Sequence, residues 1–346
     1  MDLARFSQFT HEYLHHSYFG ISDESSDTLV VNLPFVAHSL YPNFTQAILD
    51  YAKANQINLN PNIQFNPRIL SHKVKPGISA RAGIKNIIAV TSGKGGVGKS
   101  TVAFNLAIAL AKNSAKVGIL DADIYGPSLP TLIGDVDFKP EVEDQCFVPL
   151  EKYGIKALSF GFLIAKDQPA IWRGAMINKA LEQLLNDTKW GELDYLIMDM
   201  PPGTGDIHLT MCQKFPITAV IAVTTPQDIA LVDVTKSIEM YRKMDIPCLG
   251  VVENMSTHIC SNCGHSEDIF GSNGAQILSS KYGLDILAKL PLDIAIRQAG
   301  DLGMPIDNAR SQLISNSFNQ LAFEASYRLS KLPRDFSSKL GKLKVI

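Results

Sequence analysis

The string Gly93-Lys94-Gly95-Gly96-Val97-Gly98-Lys99-Ser100 has the residue types and spacing for phosphate chemistry. It fits the pattern G-x-x-x-x-G-K-[ST]. The glycines let backbone N–H groups turn inward around phosphate oxygens, and a following helix N-terminus adds partial positive charge. Lys99 is expected to reach the β- and γ-phosphates of ATP, and the Ser100 hydroxyl to bind Mg²⁺. Residues Gly93 through Thr101 are therefore the nucleotide-binding candidates. The context suits them: the apolar run Asn86-Ile87-Ile88-Ala89-Val90 reads as a buried strand before the loop, and Thr101 to Lys112 reads as a helix after it.

Carboxylates and thiols follow at other strand ends. Asp121 and Asp123 leave the strand Lys116–Asp121 with one residue between them. They serve either the nucleotide or the turn that follows. Leu196-Ile197-Met198-Asp199 is an apolar strand ending in a carboxylate, the position from which an Asp holds Mg²⁺. Gly203 and Gly205 behind it allow close backbone approach to a γ-phosphate and a change of conformation on hydrolysis. Cys260-Ser261-Asn262-Cys263 puts two thiols at C-x₂-C spacing, able to grip one metal or cluster edge. No cysteine follows Cys263, so the second ligand pair of a zinc ribbon is missing, although His258 and His265 flank the pair. The pair reads as half a site. A two-fold dimer would complete four thiolates around one 4Fe–4S cluster; zinc, and a redox dithiol or inert pair, are the competing readings. Cys146, Cys212 and Cys248 read as ordinary buried or partly buried thiols.

The elements that must position these groups alternate. From Ile84 onward, strands are expected at Ile87–Thr91, Lys116–Asp121, Tyr195–Asp199, Thr218–Thr224, Cys248–Glu253 and Ile286–Leu290. Helices are expected between them at Thr101–Lys112, Asn178–Leu185, Ile229–Met244 and Ala275–Tyr282. Continuously apolar strands alternating with helices mean an α/β fold, a mostly parallel sheet flanked by helices. Ligands of such sheets bind at the carboxyl ends of the strands. Residues 1–80 read differently: an initial helix, a strand at Thr28–Leu33 stopped by Pro34, a helix around Thr45–Ala54, and a linker at Lys73–Ala80. The expected division is a small N-terminal α+β domain over 1–80, the nucleotide and cluster domain over 84–330, and a tail over 331–346.

Composition narrows the class. The chain has 346 residues, 46% hydrophobic and 19% charged, enough to bury a sizeable core. A net charge of −2 gives no basic excess for nucleic acid. The N-terminus lacks a signal-peptide pattern, and no apolar run is long enough to span a bilayer. Five unevenly placed cysteines do not make a disulfide framework, so a cytoplasmic setting is expected.

Lys94, directly after the first glycine, resembles the signature lysine of the deviant P-loop ATPases, the group of nitrogenase iron protein, MinD, ParA and the arsenite pump ATPase. That resemblance implies a homodimer in which Lys94 reaches the partner's nucleotide. It also implies that Asp123, in the first switch, orients the attacking water. Asn254, in Glu253-Asn254-Met255-Ser256, resembles the group's base-reading asparagine; a plain strand-end turn is the competing reading. Together with Asp199–Asp206, Thr224-Thr225-Pro226-Gln227-Asp228, Pro291-Leu292-Asp293 and Cys260–Cys263, these stretches look like the Mrp/ApbC family of iron–sulfur cluster carrier ATPases. The resemblance covers about Ile84 to Pro305. It implies a carrier that hydrolyses ATP and passes its cluster to apo iron–sulfur proteins; it names no cluster donor. The family's small domain often has a cysteine after its first strand. Leu33-Pro34-Phe35-Val36-Ala37-His38-Ser39 has none, which speaks against cluster handling there.

A MinD/ParA-type positioning ATPase is the rival reading, and the C-x₂-C pair discriminates against it. The stretch from Leu329 to Ile346 mixes lysines with leucines like a membrane-surface helix. Pro333 and Gly341 interrupt it, so a solvated tail and no stable membrane association are expected.

Overall fold

The computed structural model describes residues 3–21, 28–57, 62–163, 174–260, 262–306 and 312–335. The chain divides into two compact units, Met1–Leu70 and Ser71–Ile346.

In the smaller unit, β1 (Phe19–Ile21) pairs antiparallel with β2 (Leu29–Leu33), and β3 (Ile63–Pro67) pairs parallel with β2. Leu29, Val31 and Leu33 alternate inward along β2, the period-two pattern of a half-buried strand. The helix α1 (Tyr41–Ala54) makes the crossover and buries Phe44, Ile48 and Ala52, one stripe at four-residue spacing. The expected N-terminal helix is instead two short 3-10 turns, Leu3–Phe6 and His16–Tyr18.

The larger unit is built on an eight-stranded sheet. In chain order its elements begin with β4 (Ile87–Ser92), α2 (Lys99–Lys112), β5 (Val117–Asp121) and α3 (Leu129–Ile133). A two-stranded ribbon of β6 (Val142–Glu143) and β7 (Cys146–Phe147) follows. Then come β8 (Leu150–Lys152), β9 (Ile155–Ser159), α4 (Gly174–Asn186), β10 (Tyr195–Asp199) and α5 (Asp206–Lys214). Next are β11 (Ala219–Thr224), α6 (Asp228–Lys243), β12 (Cys248–Glu253) and the short pair β13 (His258–Ile259) and β14 (Ser266–Glu267). The unit ends with α7 (Gly274–Tyr282), β15 (Ile286–Lys289), α8 (Ile294–Asp301) and α9 (Gln312–Ser330).

The sheet order is β15-β12-β11-β4-β10-β5-β9-β8, parallel except for the antiparallel edge strand β8. Every residue of β4, β5, β10 and β11 is buried, because helices cover both faces. The chain runs outward from β4 through β5 to β9, returns to β10, then leaves on the other side through β11. That reversal puts a topological switch point beside β4, where ligands of open α/β sheets bind. Register levels the carboxylates there: Asp199 lies opposite both Asp121 and Val90.

The sequence reading did not include β8 and β9. Their turn holds Tyr153 and Gly154, both at positive φ (54° and 78°), as a two-residue hairpin turn requires. The division between units falls after Leu70 rather than after Ala80. The start of the linker-like stretch and the residues just before it are bonded into the larger unit: Lys73 N donates to Pro333 O at 2.9 Å, and Asp335 N to Ser71 O at 2.9 Å. The tail beyond Asp335 lies outside the described residues. Among the described residues, no helix is long and apolar enough to cross a membrane.

Candidate nucleotide site and thiol hairpin

The phosphate loop leaves β4 after Ser92 and enters α2 at Lys99, with Gly98 as the helix N-cap. Close neighbours require two of its glycines, Gly93 and Gly98. A Cβ on Gly93 would lie 2.1 Å from the backbone of Asp233 in α6. A Cβ on Gly98 would meet Asn254 Nδ2 at 2.2 Å, and its φ of +80° disfavours any other residue.

The chemistry converges on Lys99, which is 6% exposed. Its ammonium pairs with the Asp199 carboxylate, lies 3.9 Å from Asp123 Oδ2, and sits 3.3 Å from Ser100 Oγ. Burial raises the Asp199 carboxyl above its usual range, opposed by Lys99 and by the Ser100 hydroxyl. The sequence-selected groups Lys99, Ser100, Asp123 and Asp199 thus share one place. The donor set of one hydroxyl and two carboxylates is of the hard oxygen type that suits Mg²⁺.

Asp121 has a different task. Burial, with Asp199 beside it, pushes its carboxyl up to about 7. It accepts from Asp123 N at 3.1 Å, Leu129 N at 3.1 Å and Ser159 Oγ at 2.9 Å. It therefore ties both ends of the loop that presents Asp123. The second switch, the segment through Asp206 that follows β10, is fixed to β4 in the same manner, with Met200 N on Val90 O and Gly203 N on Ser92 O, both at 3.1 Å.

Lys94 is half-buried and its Nζ lies 3.4 Å from Gln227 Oε1. Asn254 donates from Nδ2 to Val97 O at 2.8 Å, so its amide braces the phosphate loop. It also lines a cavity of about 470 Å³ with Gly98, Thr101, Leu292, Asp293 and Arg297.

The thiols sit on the β13–β14 hairpin. Cys260 N donates to His265 O at 2.8 Å, and Gly264 N returns to Cys260 O at 2.9 Å. Backbone N–H groups of Cys263 and Asn262 point at the Cys260 sulfur and hold its thiol below the usual range. Cys263 is exposed. Among the described residues, no group of three His, Cys, Asp or Glu side chains could hold a metal ion. His258 turns its Nδ1 to Leu292 O at 3.0 Å. Desolvation pushes the Cys212 and Cys248 thiols up to about 12 and about 11, which makes them poor ligands beside Cys260.

A profile of the family described as ParA, NUBPL iron-transfer P-loop NTPase, matches residues 83–325. The chain belongs to this family. Among similar proteins, the chain is 53% identical over 245 residues to an iron-sulfur cluster carrier protein of Pseudomonas fragi, covering 70% of this chain and 85% of that one. It is 50% identical over 288 residues to the Escherichia coli K12 iron-sulfur cluster carrier protein, covering 81% and 76%. The iron-sulfur cluster transfer protein NUBPL of Mus musculus is 49% identical over 227 residues, covering 65% and 71%. A nucleotide-binding protein from Archaeoglobus fulgidus, solved with ADP and with cobalt found in it, superposes with a TM-score of 0.59 at 38% identity, over 67% of this chain and 93% of that one. The cell-division ATPase MinD of Pyrococcus furiosus has a TM-score of 0.52 at 24% identity, over 69% and 97%, and shares the fold.

Sequence reasoning missed two buried supports of this NTPase site. Asp121 was visible, but its partner Ser159 belongs to the unrecognised strand β9. His208 follows the second switch on α5, and its Nε2 faces Tyr241 Oη at 2.8 Å and Thr91 Oγ1 at 3.2 Å. Nothing local in the sequence marks it. Burial, and then the charge of Lys99, lowers its pKa to about 4. An unfolded chain takes up this proton below about 6.5, and the folded one holds it off until about 4. Acidification across that window therefore removes stability, on the order of 3 kcal/mol from this group. The thermal midpoint of wild type should drop more steeply between pH 6.5 and 4.5 than that of His208→Gln. Parallel profiles would assign the acid sensitivity to other groups.

Proposed function

We propose that this protein is an ATP-hydrolysing carrier that takes up a 4Fe–4S cluster between two chains and passes it to apo iron–sulfur proteins in the cytoplasm. The observation that carries this reading is the thiol hairpin. It offers two cysteines, one with backbone N–H groups aimed at its sulfur, and the same unit holds a phosphate loop. Two soft thiolates per chain suit iron–sulfur chemistry but close no Cys₄ site alone. Cys260 and Cys263 of two copies would close it, the cluster being cargo. The carrier and transfer names of relatives near 50% identity support the same reading.

Within the nucleotide site, the chain's own groups divide the work. Lys99 leaves Asp199 for the β- and γ-phosphates. Ser100 and Asp199 are the residues that would hold Mg²⁺, whose charge offsets that of the phosphates. Asp123 accepts from the attacking water and orients it. Lys94 reaches a partner's nucleotide across a homodimer, as in the deviant P-loop group. Asn254 reads the adenine edge with its donor and acceptor. The small N-terminal domain contributes none of these groups.

The test is anaerobic reconstitution followed by iron and sulfide counting and by mixing with an apo-protein whose activity needs a 4Fe–4S cluster. One cluster per pair of chains, and recovery of the recipient's activity, are expected. One full cluster per single chain would reject the bridging arrangement, and an inactive recipient would reject transfer.

A further inference from the structure

The segment that leads to the thiols is bonded to the wall of the cavity beside the phosphate loop. Ser256 donates to Leu290 O from both its backbone N and its Oγ, at 2.9 and 3.0 Å. Leu292 N donates to Thr257 O at 2.9 Å. His258 and Leu292 form an isolated parallel bridge, and His258 Nδ1 lies 3.0 Å from Leu292 O. A carbonyl only accepts, so Nδ1 is the protonated nitrogen and donates. His258 then opens β13, and Cys260 follows that strand.

The other side of this stitch faces the cavity. Leu292 and Asp293 line it, and the Asp293 carboxylate caps α8 through Ala295 N at 2.7 Å. Arg297 of α8 lines it as well. Asn254, at the head of the thiol segment, is bonded to the phosphate loop at Val97. The run 254–260 is thus bonded to the phosphate loop at one end, to the cavity wall in its middle, and ends at the first thiol.

We infer that His258 is a positioning residue that couples the cavity to the thiol hairpin, so that an adenine nucleotide seated there changes how firmly Cys260 and Cys263 hold their cargo. The inference rests on the carrier reading above. A base that enters between Asn254 and Leu292 orders or shifts the 290–293 segment, and Leu292 carries that change to Thr257 and His258. Linkage makes the effect reciprocal: cargo on the thiols alters nucleotide affinity by the same factor. Because the route to His258 runs through the base and Leu292, phosphates alone, which reach the run only at Asn254 through Val97, do not engage it.

The experiment follows iron release from reconstituted full-length protein to a chelator, with Mg²⁺ and no nucleotide, with ADP, or with tripolyphosphate. ADP should change the release rate about fivefold or more, within the usual range of coupling between sites. Tripolyphosphate should leave it unchanged. His258→Leu should bring the ADP ratio to about one while the cluster absorbance remains, and His258→Asn, which keeps a donor, should restore it. If His258→Leu does not fold, Ser256→Ala removes one bond of the same stitch and should lower the ratio. An unchanged ratio in the variant that folds overturns the route, as does tripolyphosphate acting like ADP. A wild-type cluster released equally with and without ADP overturns this inference alone. Failure of any cluster to assemble on wild type overturns the carrier reading and this inference with it.

Discussion

Lys99→Ala is expected to lower ATP affinity by about 100-fold or more. Charge-assisted hydrogen bonds contribute about 1.5–3 kcal/mol each, and the ammonium would make more than one to the phosphates. The substitution has a second consequence. Lys99 is the cation beside the buried carboxylates of Asp199 and Asp123. Without it these stand close together in a dry site, and removing one partner of a buried pair costs about 3–5 kcal/mol. The nucleotide-free variant should therefore unfold at lower temperature than wild type at pH 7 and recover part of the difference at lower pH, where Asp199 protonates. Lys94→Ala should behave otherwise. Its ammonium is half-buried and makes one long contact, to Gln227 at 3.4 Å. ATP affinity should hold while turnover falls, because its proposed work is across the dimer. Asp123→Asn should likewise bind ATP and lose hydrolysis, an amide being a poor acceptor for the attacking water. Binding titrations with a fluorescent ATP analogue, read beside phosphate release, separate these cases. Equal loss of affinity in the Lys94 and Lys99 variants would overturn the cross-subunit assignment.

What could be read from the sequence was what is contiguous in it. Gly93–Ser100 carries its whole geometry in one string, and the flanking strand and helix confirm its context. The continuously apolar strands revealed a buried parallel sheet, since each is covered on both faces. Groups whose role depends on distant partners stayed hidden. Asp121 and Asp123 look alike on paper, apart from the resemblance that gives Asp123 the attacking water. Only the fold shows that Asp121 is consumed by Leu129 N and Ser159 Oγ, leaving Asp123 beside Lys99. The β8–β9 hairpin escaped because its turn uses Tyr153 at positive φ instead of Asn or Asp. The stretch 73–80 looked like a linker because the pairing at its start, Lys73 with Pro333 and the preceding Ser71 with Asp335, spans most of the chain. Asn254 was assigned to a base, and the fold adds a second task for its amide, holding Val97.

Replacing Cys260 or Cys263 with Ala should abolish both the cluster absorbance and cluster-dependent dimerisation. The loss should be complete, because a bridged cluster with two thiolates from each chain would lose two of its four ligands at once. Cys146→Ala, Cys212→Ala and Cys248→Ala should retain the cluster. Cys212 is buried and its thiol is pushed up to about 12, so little thiolate forms near neutral pH. Cys260 differs in kind: backbone N–H groups of Asn262 and Cys263 stabilise its thiolate. Those backbone donors persist in Cys263→Ala while the Cys263 side-chain contact is lost, so that variant keeps much of the activation of Cys260 without its partner. Alkylation rates should show this, with Cys260 still modified quickly in Cys263→Ala while no cluster forms. The visible absorbance belongs to the cluster, and the thiolates that hold it oxidise in air. Samples must therefore be reconstituted and measured without air. Retention of a full cluster in either variant would move the ligands elsewhere. Tight stoichiometric zinc on wild type purified without oxygen would replace the carrier site by a structural one.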